Sequence, residues 1–121
     1  MKIAITAHGK NRLAKVDSRF SQAGYFVIYD QKKAVWSSLA NTQTAESVYG
    51  TKALAEKDIK ILITGYIGAK SFKLLQANQI AIYSSGETTS TAEEILSTFL
   101  SGKLALLYAP NALDMQNRKQ K

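Results

Sequence analysis

The chain has 121 residues, 45% of them hydrophobic and 21% charged, with a formal net charge of +7; this suits one domain with a real core and excludes both two ordinary domains and intrinsic disorder. It has no cysteine, so disulfides, thiolate metal sites and a Cys nucleophile are excluded together, which fits a reduced, intracellular setting. The N-terminal apolar run is too short for a signal peptide and no stretch approaches the roughly 20 residues of a membrane span, so a cytoplasmic protein is expected.

KIAIT at 2–6 reads as a short buried strand, and AHGKNRLAKVDSRFSQA at 7–23 as a long polar, basic loop. GYFVIYD at 24–30 is β-rich and apolar at nearly every position, which suits a strand covered on both faces. Gln31-Lys32-Lys33 then connects it to AVWSSL at 34–39 as a hairpin. NTQTAESVYGTKALAEKD, from Asn41, begins with cap-type residues and continues as a mediocre helix that Gly50 weakens.

From Asp58 the pattern alternates between strand and helix. IKILIT at 59–64 is a buried strand, AKSFKLLQAN at 69–78 a helix and QIAIYSS at 79–85 a further strand. The last helix is the best signalled: Ser90 and Thr91 each have a Glu three residues on, Glu93 and Glu94, as in a capping box. Ala92, Ile95, Leu96, Phe99 and Leu100 then share one face. Gly102 stands where a left-handed cap belongs. KLALLY at 103–108 reads as either a short strand or an extended packing segment.

The order predicts a single α/β domain with a mixed five-stranded sheet flanked by helices, over residues 1–108, and a polar, basic tail over 109–121 ending in RKQK. Ligands of such sheets sit at the carboxyl ends of central strands. Here those ends are Thr6-Ala7-His8-Gly9, from which the basic loop hangs, and Thr64-Gly65-Tyr66. In that loop Lys10, Arg12, Lys15 and Arg19 face one acid, Asp17.

TGYIGAKS at 64–71 has the look of a phosphate loop but lacks its spacing. A Walker loop needs four residues between its glycines, and Gly65 and Gly68 have two. A dinucleotide fingerprint needs three glycines and an acid at the end of the next strand, which here ends in Tyr83-Ser84-Ser85. What remains is a glycine turn opening a helix, whose N–H groups and dipole suit an anion; a tight turn without a ligand is the alternative.

His8 is the only histidine. One histidine cannot build a zinc site, but it can give a single bond to a bulky metal centre that brings its own sulfides. Nucleophilic catalysis lacks a Gly-x-Ser-x-Gly elbow. The strand order suits a ribonuclease H-like motif, yet Asp30 and Asp58 are almost the only strand-end acids, so two-metal nuclease chemistry lacks its carboxylates. Phe20, Tyr25 and Phe26 follow the basic loop, as a single-strand nucleic-acid binder requires, although core packing accounts for Tyr25 and Phe26 as well.

The opening MKIAIT…GKNRLAKVDSRFSQAGYFVIYD resembles that of the dinitrogenase iron–molybdenum cofactor biosynthesis family, the nitrogenase accessory factor-like proteins. Val16, Asp17, Arg19, Phe20, Ala23, Tyr25, Phe26 and Asp30 carry the likeness, with Ser21 where the family usually has Gly. ILITGYIGAKSFKLLQANQIAIY is similar to the family's later strand–turn–helix–strand, with Asn78-Gln79 in place of a glycine and Tyr66-Ile67 where a second adjacent glycine is common. Gly102-Lys103-Leu104 matches its closing segment.

The resemblance implies a ribonuclease H-like fold without enzymatic activity that binds, carries or stores a molybdenum- or iron–sulfur-containing cofactor or its precursor. Such a cluster is anionic. It would be held without thiolate by His8, Gly9, Lys10, Arg12, Lys15 and Arg19, opposite Thr64, Gly65 and Gly68, with His8 as the one metal contact. A cofactor donor or acceptor protein is the candidate partner; no membrane and no nucleic acid is expected, and the oligomeric state stays open. The competing reading is an adaptor or regulatory module that uses the same basic face on a protein or nucleic-acid partner. Phe20 has a structural alternative, a plug pinning the loop to the sheet, and Arg19 has one in a salt bridge to Asp17 or Asp30.

Overall fold

The computed structural model describes residues 1–41 and 49–112. The predicted start of the first helix, within 42–48, and the basic end of the chain lie outside the described residues. In chain order the elements are β1 (Lys2–Ala7), β2 (Tyr25–Asp30), β3 (Val35–Ala40), α1 (Tyr49–Glu56), β4 (Ile59–Thr64), α2 (Ala69–Ala77), β5 (Ala81–Ser84), α3 (Ala92–Leu100) and β6 (Ala105–Leu106).

The strands form one mixed sheet in the order β3-β2-β1-β4-β5-β6. β1 is parallel to β4, and β4 to β5, while β2 runs antiparallel to both its neighbours and β6 antiparallel to β5. This is the mixed α/β architecture expected, with one correction: the sheet has six strands, not five. The sixth is two residues of the ambiguous KLALLY segment, pairing Leu106 with Tyr83 and Ala105 with Ser84. So short a strand leaves no periodicity to read; its pairing comes from the tertiary position of β5.

Side chains alternate across the sheet, and two cores result. Ala4, Phe26, Ile28, Leu62 and Ile82 meet Leu54 of α1 and Phe72 and Leu75 of α2 on one face. Ile3, Ile5, Ala7, Val27, Ile61 and Ile63 meet Ala92, Ile95 and Leu96 of α3 on the other. β1 and β4, apolar at nearly every position, lie centrally because helices cover both their faces. Each such fully buried aliphatic side chain contributes roughly 1.5–3 kcal/mol of transfer free energy.

The helix ends follow local chemistry. Of the two overlapping capping signals, Thr91 and Glu94 make the box: Thr91 Oγ1 accepts from the Glu94 amide at 3.2 Å and Glu94 Oε1 accepts from the Thr91 amide at 2.8 Å. Ser90 precedes the helix and accepts from the Val16 amide through its carbonyl at 2.9 Å. Gly102 takes the left-handed conformation at φ 75°. So does Gln79, at φ 57°, after the Asn78 cap of α2.

Candidate functional site

The basic segment after β1 is held to the fold at every few residues. Ala7 bridges Val16 and Lys15 bridges Thr91. The His8 amide donates to the Lys15 carbonyl and the Asp17 amide to that of Thr6, both at 2.9 Å. Two amides of the first turn of α3, those of Ala92 and Glu93, donate to the carbonyls of Ala14 and Arg12 at 2.9 Å. The far end joins the β4–α2 turn, where Phe20 donates to the Tyr66 carbonyl at 3.1 Å and Tyr66 to that of Ser18 at 2.6 Å. The loop is thus clamped between α3 and the turn after β4. The turn lies where the sequence places it; the α3 side does not emerge from the sequence, because its partners are 74 to 81 residues away.

Asp17 lies at the centre of this clamp and is only 3% exposed. Its Oδ1 accepts from the Arg19 amide at 3.0 Å and lies 3.4 Å from Arg19 Nε. Its Oδ2 lies 3.5 Å from His8 Nδ1, and the His8 and Arg19 side chains remain 58% and 57% exposed. Beneath them the Thr6 hydroxyl donates to the Asp17 carbonyl at 2.7 Å and lies 2.9 Å from the Thr64 hydroxyl. One hydroxyl has a single proton, so Thr64 is the donor to Thr6 when Thr6 serves Asp17. His8, Arg19 and Thr64 are therefore brought together, through Thr6 and Asp17, at the carboxyl ends of β1 and β4. Apart from its place in the family resemblance, the sequence offers Asp17 as a salt-bridge partner for Arg19; that bond is present, and the other carboxylate oxygen lies beside His8.

Two of the other cations face the start of α3. Arg12 Nε pairs with Glu93 Oε2 at 2.5 Å, and Lys15 Nζ donates to the Thr89 carbonyl at 2.8 Å. Lys10 is exposed, and among the described residues no carboxylate pairs with it. Gly9 lies where an added Cβ would come within 3.1 Å of Ala14 Cβ, so it lets the loop fold back on itself. The carboxyl group of Glu94 is held below the ordinary glutamate range, first by its hydrogen bonds with Thr91 and, less, by the charge of Lys15.

The glycine turn is built for packing. A Cβ on Gly65 would lie 2.7 Å from both Cβ and O of Ser18 and 2.9 Å from the Gly86 carbonyl, so only glycine lets the turn touch the loop this closely. The Tyr66 amide is used by Ser18, and the Ile67 amide donates to Asn111 Oδ1 at 2.8 Å while Asn111 Nδ2 donates to the Gly65 carbonyl. Asn111, within the segment read as a tail, thus docks on this turn. Gly68 is exposed and is the N-cap of α2, with no side chain capping it. The first turn of α2 is thus left without a side-chain cap, while the first amides of α3 are used by the loop and by Thr91.

Phe20 is buried with its ring 5.7 Å from that of Phe26; it plugs the loop onto the core. Among the described residues no group of three or more His, Asp or Glu converges. A separate groove of about 420 Å³ between α1 and α2, lined by Thr51, Lys52, Ala55, Glu56, Leu74 and Asn78, shares no residue with the loop.

The family model described as dinitrogenase iron-molybdenum cofactor matches residues 1–102. The apo form of the orange protein from Desulfovibrio gigas is similar at 32% identity and a TM-score of 0.82, covering 91% of this chain and 95% of that one. An NMR structure from Thermotoga, assigned as a NifB protein, is similar at 26% identity and a TM-score of 0.81, covering 91% and 96%. A Methanocaldococcus jannaschii structure labelled a dinitrogenase, at 21% identity and a TM-score of 0.70 over 91% and 97%, shows the shared fold alone. No curated protein matches the sequence. Among the described residues no helix is long and apolar enough to cross a membrane.

Proposed function

The chain belongs to the dinitrogenase iron–molybdenum cofactor family, whose model spans residues 1–102, and from that membership we propose that it binds and carries an anionic molybdenum- or iron–sulfur cluster without catalysing a reaction. The observation that carries this reading is the pairing of His8 and Arg19 on one buried carboxylate at the carboxyl ends of β1 and β4. An imidazole and a guanidinium, half-exposed and held by the same anchor, present one metal contact and one fixed positive charge to a common point.

Of the other cations on the segment, Lys10 is exposed while Arg12 and Lys15 turn toward α3, and the N-terminus of α2 after Gly68 offers an anion backbone donors and a positive dipole. With no thiolate available, the cluster keeps its own sulfide ligands, and binding through charge, hydrogen bonds and one imidazole is reversible, as delivery to an acceptor protein requires. The resemblance to an orange protein solved in its apo form agrees with a protein that exists with and without its ligand. The role is cytoplasmic in this reading, since reduced clusters are handled away from oxidants.

The test is an anaerobic titration of the purified protein with tetrathiomolybdate and with an iron–molybdenum–sulfur precursor, measuring bound metal after gel filtration. Stoichiometric retention is expected, weakened about tenfold or more in His8→Ala, the scale on which loss of a metal contact or its support acts, and weakened again in Arg19→Ala. If wild type retains neither species, the function is wrong. If both variants bind as wild type does, the site is wrong.

A further inference from the structure

Asp17 is a carboxylate buried to 3% exposure, and a buried carboxylate is costly unless its oxygens are matched. Its backbone is fixed on both sides, the amide on the Thr6 carbonyl and the carbonyl on the Thr6 hydroxyl. Oδ1 is committed to the amide and Nε of Arg19. Oδ2 faces Nδ1 of His8 at 3.5 Å, the imidazole nitrogen nearest to it.

We infer that Asp17 is a positioning residue that fixes His8 as the tautomer carrying its proton on Nδ1, leaving the lone pair of Nε2 turned outward for the metal of a sulfide-rich cluster. This rests on the proposed function only for the identity of the ligand; the tautomer follows from the chain alone. A neutral imidazole has one N–H donor and one acceptor nitrogen. A carboxylate accepts only, so the nitrogen facing it carries the proton. Free histidine in water favours the opposite tautomer, with the proton on Nε2, so the structure reverses an intrinsic preference. A carboxylate behind a ligating imidazole also raises its basicity, and removing such a support costs 10- to 100-fold in metal affinity in metalloproteins generally.

The single histidine makes the measurement direct, because the imidazole region of a ¹⁵N spectrum contains one ring. The metal-free protein is examined at a pH where the ring's own ¹⁵N shifts report an uncharged imidazole. Wild type is expected to show a protonated Nδ1 and an unprotonated Nε2. Asp17→Asn, whose amide can donate to Nδ1, is expected to move the ring toward the Nε2-protonated form and to weaken retention of tetrathiomolybdate about tenfold. A wild-type ring protonated on Nε2 overturns the proposal, and needs no variant to fold. An Asp17→Asn ring identical to that of wild type overturns it too. A wild type that carries the Nδ1 proton but retains no tetrathiomolybdate supports the tautomer and overturns the cluster-binding function instead.

Discussion

Gly65 is where a single atom decides the geometry of the site. The 2.7 Å approach to Ser18 and 2.9 Å approach to the Gly86 carbonyl leave no room for a methyl group, and two of the three obstructing atoms are backbone oxygen. Gly65→Ala is therefore expected to destabilise the protein by about 1–3 kcal/mol, the usual cost of overpacking, seen as a lower urea midpoint with an unchanged slope. A midpoint equal to that of wild type would show that the Ser18 segment yields at no cost. Part of this scale was legible: His8, Thr64 and Gly65 are singled out by their positions at strand ends and Arg19 as a cation of the basic loop, and Thr6 and Asp17 link His8, Arg19 and Thr64. Asp17 was harder to weigh, since one acid among four cations looks like simple charge balance. Its burial depends on Thr6 and on the fold of the segment around it. Gln79 shows the reverse case: it stands where the family resemblance expects glycine, and its φ of 57° shows what that glycine is for.

Among the elements, α3 has the most to do with the site, because its first turn faces the basic segment. Thr91 and Glu94 cap it reciprocally, while the Ala92 and Glu93 amides are used by loop carbonyls. Replacing Thr91 by Ala is expected to cost about 1 kcal/mol at neutral pH, as for other N-caps. The pH dependence has a definite sign. Glu94 is depressed in the folded protein, so its contribution is present above the ordinary glutamate pKa and is lost as the pH falls through its lowered folded value. The gap between wild type and Thr91→Ala, measured by urea unfolding across the acid range, should narrow as the pH drops; a constant gap would mean that the box does not couple the two residues. The elements themselves were largely readable. Continuous apolar runs marked the central strands, the 3.6-residue pattern marked α3, and only β6 went uncounted. The loop after β1 looked featureless because its order comes from residues far along the chain.

On the scale of the whole molecule, the charge of +7 overstates what a ligand meets at the site. Glu93 neutralises Arg12 and Asp17 partly neutralises Arg19, so few cations remain to release counterions. Binding of tetrathiomolybdate should fall by roughly tenfold or less between 50 and 200 mM salt, against the ~10³ or more lost by a nucleic-acid binder making six phosphate contacts. A steep log–log slope, together with tight binding of a single-stranded oligonucleotide, would favour the adaptor reading. Isothermal titration at several salt concentrations distinguishes the two.

The clamp on the basic segment also sets an order of assembly. Arg12 finds its partner 81 residues onward and Lys15 finds its own 74 residues onward, while Ser90 takes up the Val16 amide. Contacts this distant in sequence carry a large loop-closure cost and form late, after the strands between them have paired. A chain still emerging from the ribosome has its histidine and its arginines but not their frame until α3 has been made. The segment that carries His8 and Arg19 thus takes its final shape only after an element made much later in the chain has joined the sheet.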